Sequence, residues 1–451
     1  MTDPEFGYVT RENLSLFTDF YELTMLQGYH ESGHNPDAVF DLFFRRLPPD
    51  RGYMITAGLE QAVYYIENLE FSDRALEYLK EKGFRDSFLD YLQDFEFTGD
   101  VRAVPEGTPV FPDEPLMEVE APIMQAQLFE TLLINQVAFQ SLVATKAARM
   151  KEGVERYGDG QSLVDFGSRR SHGTDAGMKA ARAAYIGGFS GTSNVAAGES
   201  FGLPVYGTMA HSWVESFDTE EEAFEAYIDE YGEDSILLID TYDTVGGAET
   251  ASEVAEERGV NIRGVRIDSG DLAGLSQKVK DVVDTGVFVS SGVDEFKIRE
   301  FFESGGVASG FGVGTKLVTS RDAPALEGVY KLVASRSRGE MEPRMKLSER
   351  KVTWPGRKSV ERIERDGTYE KDVLRMGGEI GERDLLVQVF KDGERVYELP
   401  DLEEIKVRAQ EERRKLPERV RSIEKPVEYP VEIGEGLERA AERLQDELSK
   451  L

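Results

Sequence analysis

From Leu163 to Thr315 one texture repeats: a short apolar run, a polar loop holding glycine, then a helix-like stretch. The apolar runs end in Asp165-Phe166-Gly167-Ser168-Arg169, Gly191-Thr192-Ser193-Asn194, Gly207-Thr208, Asp240-Thr241-Tyr242-Asp243, Arg266-Ile267-Asp268-Ser269-Gly270, Ser291-Gly292 and Gly312-Val313-Gly314-Thr315. Successive ends lie roughly 25 residues apart, the length of one strand plus one crossover helix. Such alternation requires a parallel sheet covered by helices. Polar residues at every strand end favour an α/β barrel with its chemistry at the carboxyl ends of the strands. An open sheet would gather its ligand residues at one switch point instead.

The flanks read differently. Asn13 to Tyr29 places Leu16, Phe20, Leu23, Met25 and Leu26 near helical spacing, and Ala38 to Phe44 predicts a strand stopped by Arg45-Arg46-Leu47-Pro48-Pro49. Gly58 to Asn68 and Asp73 to Lys82 predict helices, with Gly83 as a stop. Thr98 to Glu120 has the alternation and turn residues of short antiparallel strands. Gln125 to Glu152 carries a stripe of Leu128, Leu132, Phe139, Leu142 and Val143, a long helix leading into a second domain. After the repeat, Tyr330 to Ile363 is basic and strand-like. Asp401 to Leu451 is charged helix with sparse apolar anchors, expected to be a solvated face.

Composition narrows the partners. With 86 acidic and 53 basic residues, the net charge of -33 repels nucleic acid and anionic lipid. The acids are dispersed in short clusters such as Glu220-Glu221-Glu222, and lysine is scarce beside arginine, a shell suited to high salt and a halophilic origin. The lack of cysteine excludes disulfides, thiolate metal sites and a cysteine nucleophile. No apolar run is long enough for a bilayer, and MTDPEFGYVTRENL lacks the regions of a signal peptide, so a cytoplasmic location is expected.

Several strand ends carry chemistry. His211, one of 4 histidines, follows Val205-Tyr206-Gly207-Thr208, which reads as a buried strand and its polar end. Its ring is either a nucleophile or a structural cap. Gly292, Gly312, Gly314 and Thr315 lie at successive strand ends, where backbone amides could cradle a phosphorylated ligand. Arg169, Arg170 and Arg266 offer forks for a carboxylate or phosphate, or else pair with Asp165, Asp240 and Asp268. Asp240, Asp243, Asp268 and Asp271 are hard oxygen ligands that could share Mg2+ with phosphate oxygens. Phe166 beside Arg169 suits a planar heteroaromatic acid, or is a core residue.

In this order FTDFYELTMLQGY, RGYMITAGLE, DFGSRRSHG, GTSNVAAGESFGLPVYGTMAHSWV, RIDSGDL and FGVGTKLVTS resemble the nicotinate phosphoribosyltransferases, from about Leu16 to Val360. The resemblance implies a type II phosphoribosyltransferase fold, an incomplete α/β (TIM-like) barrel joined to an α/β sandwich. The division expected is a sandwich domain at 1–122, a barrel at 123–328, a strand-rich return to the sandwich at 329–400 and a charged helical segment at 401–451. It also implies a homodimer or larger assembly with interface sites. The activity implied is ATP-dependent and ligase-type: nicotinate and phosphoribosyl pyrophosphate give nicotinate mononucleotide and pyrophosphate, for NAD biosynthesis. ATP is a co-substrate, Mg2+ binds through phosphates, and a phosphohistidine couples the two reactions.

Carried over by position, His211 is the phosphorylated residue, with Asp240 or Asp268 as the acceptor that holds its ring. Phe166 and the partner subunit's Tyr21 sandwich the pyridine, Arg169 and Arg266 anchor the substrate, and Asp268, Gly292, Gly312, Gly314 and Thr315 contact ribose and 5′-phosphate. Arg45, Lys331 and Lys346 are cations for pyrophosphate across the interface. Nicotinamide-using relatives carry an acid directly after Gly191-Thr192; Ser193 stands here and tolerates a carboxylate. The alternatives are a nicotinamide or quinolinate phosphoribosyltransferase of this fold, or a non-catalytic nucleotide-binding barrel protein. Quinolinate would call for extra cations, and mere binding leaves His211 with both arginines unexplained.

Overall fold

The computed structural model describes residues 7–346, 353–377 and 384–450. The repeat yields six parallel strands, Ser162–Asp165, Gly191–Thr192, Ile236–Leu238, Gly264–Ile267, Gly286–Ser290 and Gly310–Val313. In space Gly191–Thr192 lies at one edge, followed by Ser162–Asp165, Gly310–Val313, Gly286–Ser290, Gly264–Ile267 and Ile236–Leu238. Among the described residues the two edge strands do not pair with each other. Helices cover the sheet, and Val265, Ile267, Val287, Val289, Phe311 and Val313 are buried, as a sheet packed on both faces requires. Gly264 permits a close approach of neighbouring strands: a β-carbon there would stand 2.4 Å from the carbonyl oxygen of Gly286.

Side chains at the strand ends also start the next helices. Asp243 accepts from the amide of Gly246 at 2.6 Å, Asp271 from Gly274 at 3.3 Å and Asp294 from Lys297 at 2.8 Å. Each satisfies an orphan amide of a first turn. This corrects the expectation for Asp243 and Asp271, whose carboxylates are helix caps.

The stretch before His211 differs from expectation. Instead of a buried strand, Val205 makes a single parallel bridge to Thr192 and is 47% exposed. The carbonyl of Pro204 accepts from Thr192 at 3.0 Å and Tyr206 donates to Thr192 at 2.9 Å. Pro204 has no amide to extend the ladder, and the chain turns into the short helix His211–Glu215.

The flanks largely follow their patterns. A helix spans Phe20–Ser32, beginning later than Asn13 because Asp19 is extended at its N-cap and Leu14–Leu16 is a separate 3-10 turn. The long helix is two, Ile123–Leu128 and Glu130–Tyr157. A seven-stranded antiparallel sheet orders Glu340–Pro343, Gly328–Ser337, Asp37–Phe44, Met117–Pro122, Asp100–Ala103, Val387–Lys391 and Glu394–Arg395. Of the strand-like Tyr330 to Ile363, residues 347–352 lie outside the described residues.

Asp401 to Leu451 is not a solvated face throughout. Its helices Leu402–Lys415 and Glu435–Leu448 flank the strand Val431–Ile433, which pairs with Thr368–Met376. Arg413 is 1% exposed, donates to the carbonyl of Ala148 at 2.8 Å and pairs with Glu155, while Arg421 meets Glu152 at 2.6 Å. The acids of the long helix therefore draw the charges of this segment inward. Among the described residues no helix is long and apolar enough to cross a membrane.

Candidate active site

The carboxyl ends of the central strands open into a cavity of about 300 Å³. Its wall includes Phe166, Arg169, Arg266, Asp268, Gly292, Gly312, Gly314 and Thr315 from the expected set. Arg170, Ser290, Ser291, Lys316 and Arg321 join them, of which all but Arg170 and Ser291 were absent from the sequence reasoning. Helix-borne cations such as Lys316 give no periodic signal that separates them from surface charge.

Arg266 shows what the cavity wants. Its Nη2 donates to the carbonyl of Met209 at 3.0 Å, while its Nε is buried without a hydrogen-bond partner. Among the described residues neither Arg169, Arg170 nor Arg266 forms a salt bridge, so the ion-pair alternative does not hold. Burial pulls the affinity of Arg266 for its proton down; Asp268 and Asp240 oppose this, and Arg169 adds repulsion. Two guanidinium groups near one another with donors to spare form a seat for an anion.

Next to them the ring of Phe166 covers the backbone at Gly312, where a β-carbon would come within 2.5 Å of the ring. Glycine at 312 therefore lets the ring close on the strand. Gly292 has a φ of 65° and Ser291 a φ of 83°, consecutive left-handed residues that turn the backbone after Ser290. A side-chain-bearing residue in that region stores strain and marks a specialised loop. Thr315 begins a short helix at the same rim.

His211 stands at the edge of this group. Its Nδ1 is 3.2 Å from the hydroxyl of Thr241, and its Nε2 is 3.9 Å from Asp268. Asp268 is held in turn by Ser290, whose hydroxyl donates at 2.5 Å. Asp240 faces elsewhere: its Oδ2 accepts from the amide of Asp268 at 2.9 Å and the hydroxyl of Ser269 at 2.7 Å. The hydrogen-bond partner of the ring is thus Thr241, which sequence reasoning missed beside two acids; of those, Asp268 stands within ion-pair range of the other ring nitrogen, and Asp240 fixes the loop that carries Asp268.

The remaining expected residues lie away from the cavity wall. Ser193 donates its amide to Asp165 at 2.8 Å and its side chain lines no described cavity. Arg45 sits over the ring of Phe43 at 5.3 Å, and Lys331 donates to the carbonyl of Tyr330 at 2.8 Å and faces Glu130 at 3.6 Å. Lys346 is exposed. Tyr21 is 47% exposed beside Phe20, which is 58% exposed.

Tyr21 lies against a buried acid with its own consequence. Glu22 is 0% exposed, accepts from Gln127 at 2.8 Å, and is pushed by burial from 4.5 up to about 7. The folded state therefore binds a proton that the unfolded chain releases, so this group lowers stability as pH rises from 4.5 to 7. Glu22→Gln is expected to gain about 2–3 kcal/mol over the wild type at pH 8 relative to pH 5, measured by urea unfolding. An equal difference between the two proteins at both pH values would contradict this.

A parallel sheet with a largely cationic, glycine-lined cavity at its carboxyl ends defines an α/β protein whose strand ends gather the charge an anion would meet. Family models named for the nicotinate phosphoribosyltransferase N-terminal domain, the nicotinate phosphoribosyltransferase family and its C-terminal domain match residues 16–138, 161–363 and 369–440. A nicotinate phosphoribosyltransferase of Mycobacterium tuberculosis is 43% identical over 97% of this chain and 94% of its own length. One from Bacillus subtilis is 40% identical over 96% and 95%. The crystal structure of human nicotinic acid phosphoribosyltransferase superposes with a TM-score of 0.82 and 28% identity, covering 95% of this chain and 99% of the human one. The chain belongs to the nicotinate phosphoribosyltransferase family.

Proposed function

We propose that this chain joins nicotinate to phosphoribosyl pyrophosphate, forming nicotinate mononucleotide and pyrophosphate for NAD biosynthesis. The observation that carries the proposal is the buried, unpartnered Nε of Arg266 beside Phe166 and the glycine-lined rim. A flat aromatic carboxylate satisfies both features, with its ring on Phe166 and its carboxylate on Arg266 and Arg169. The sugar phosphate then lies along Gly292, Gly312, Gly314 and Thr315.

The reaction breaks the bond from the anomeric carbon to pyrophosphate, which leaves with the electron pair as the pyridine nitrogen forms the new bond. That nitrogen is already a nucleophile, so no general base is needed. The residues contribute alignment and charge: Phe166 sets the plane, the arginines fix the carboxylate, and Lys316 and Arg321 add positive charge at the rim. Among the described residues one carboxylate trio could hold a cation, Glu221, Glu225 and Glu257, none of which lines the cavity. Magnesium would therefore be held chiefly by diphosphate oxygens, with the half-exposed Asp268 as the nearest carboxylate, and would neutralise charge on the leaving group.

The finer parts of the proposal go further. His211 accepts a phosphoryl group from ATP on a ring nitrogen, releasing ADP, and Thr241 orients the ring. The unclosed parallel sheet is read as an incomplete barrel, with domains at 1–122, 123–328, 329–400 and 401–451. A second copy supplies Tyr21, exposed here, with Arg45, Lys331 and Lys346 toward pyrophosphate. The acidic surface suits a halophilic cytoplasm.

Purified protein given nicotinate, phosphoribosyl pyrophosphate and magnesium should release pyrophosphate and nicotinate mononucleotide in equal amounts. Product from nicotinamide but not from nicotinate would overturn the substrate. With a net charge of -33, thermal unfolding should shift upward by several degrees as potassium chloride is raised, because screening relieves self-repulsion. A fall in melting temperature with salt would contradict the halophilic reading.

A further inference from the structure

A buried ionic cluster lies directly behind the cavity and joins its two phosphate-facing loops. Lys146, on the long helix and 1% exposed, reaches Glu295 at 2.8 Å and Asp322 at 2.7 Å. Glu295 opens the helix that follows the Gly292 turn, and Asp322 follows Arg321 at the opposite rim. Around this bridge Arg149 pairs with Glu295 at 2.9 Å and donates to the carbonyl of Ile423 at 2.7 Å. Arg51 donates to Ser320 at 2.8 Å and faces Asp322 at 3.4 Å. A second, partly buried tie crosses the same gap, Lys316 to Asp294 at 2.5 Å.

The composition of the cluster is unusual for a structural ion network. Arg51, Lys146 and Arg149 bring three cations against two carboxylates, and they do so inside an otherwise strongly acidic chain. A buried surplus of positive charge is unfavourable by itself and is relieved by an anion nearby. Here the adjacent cavity opens between the loops that the cluster holds.

We propose that Lys146 is a positioning residue for the sugar diphosphate: its ammonium clamps the Gly292 loop to the Arg321 loop and so sets the width of the phosphate cradle. The inference rests on the reading that this cavity holds phosphoribosyl pyrophosphate. Lys146 never touches the ligand. Its effect falls on the phosphate side, because Phe166, Arg169 and Arg266 hang from other strand ends with no bond to the cluster.

The test compares Lys146→Met, Lys146→Arg and Asp322→Asn in the full-length protein by steady-state kinetics and by calorimetric titration with phosphoribosyl pyrophosphate. Lys146→Met should raise KM and Kd for phosphoribosyl pyrophosphate about tenfold, leaving KM for nicotinate and kcat within about twofold. Lys146→Arg should recover most of the loss, and Asp322→Asn should move in the same direction by a smaller factor. If Lys146→Met does not fold, Asp322→Asn decides, since its carboxylate is partly exposed and its loss leaves the Lys146–Glu295 pair in place. Unchanged affinity for phosphoribosyl pyrophosphate in the folded variants, or an equal rise in KM for nicotinate, would overturn the clamp. Failure of the wild type to bind phosphoribosyl pyrophosphate would instead refute the site assignment beneath it.

Discussion

Arg266→Ala is expected to lower kcat/KM for nicotinate by roughly a hundredfold to a thousandfold, with little loss of thermal stability. Truncating one partner of a buried, charge-assisted pair costs about 3–4 kcal/mol of ligand affinity, which sets that range. Stability should follow a different course. In the free protein the guanidinium has one hydrogen bond, to Met209, an unpartnered Nε and no salt bridge among the described residues. Its burial is offset only in part by the charges of Asp268 and Asp240, so removing it should leave the melting temperature unchanged or raise it. Arg266→Lys keeps a charge but not the planar fork and should recover only part of the activity. Parallel activity assays and melting curves check both halves. A variant that unfolds readily while turning over nicotinate normally would make Arg266 a structural residue.

His211→Ala should abolish stimulation by ATP while slow turnover without ATP survives within about threefold. The ring is half exposed, its Nδ1 lies on the Thr241 hydroxyl, and its Nε2 has no hydrogen bond and stands 3.9 Å from Asp268. A histidine placed this way, beside the pocket wall and outside it, can carry a phosphoryl group without contacting the pyridine. Thr241→Val should weaken the stimulation without abolishing it, because the ring loses its orienting partner but keeps its nitrogen. Initial rates with and without ATP decide the matter. Full stimulation in His211→Ala would refute the phosphoryl-acceptor role.

Much of the site was legible because strand ends carry a local signal: an apolar run followed at once by glycine, arginine or aspartate. Phe166, Arg266, Asp268 and the Gly312-Val313-Gly314-Thr315 rim were found in this way, and they meet at one cavity. Residues whose role depends on distant partners gave no such signal. Lys146 and Glu295, on separate helices, meet only in the fold, and the helical period marks Lys146 as one more polar position. Thr241 was overshadowed by the acids around it, and Asp243 and Asp271 were over-read because an acid before a helix serves a cap as readily as a metal. The strand expected before His211 fails at Pro204, whose missing amide confines the pairing to one bridge at Val205. Ser193, Tyr21, Arg45, Lys331 and Lys346 stand off the wall of the cavity formed by one chain.

The most direct measurement is a crystal structure of the protein with nicotinate and phosphoribosyl pyrophosphate bound. The account predicts the pyridine on Phe166, its carboxylate on Arg266 with Arg169, and the 5′-phosphate within hydrogen-bond reach of the backbone at Gly292 and Gly312 to Thr315. Density for either ligand elsewhere, with Arg266 still unpaired, would contradict it.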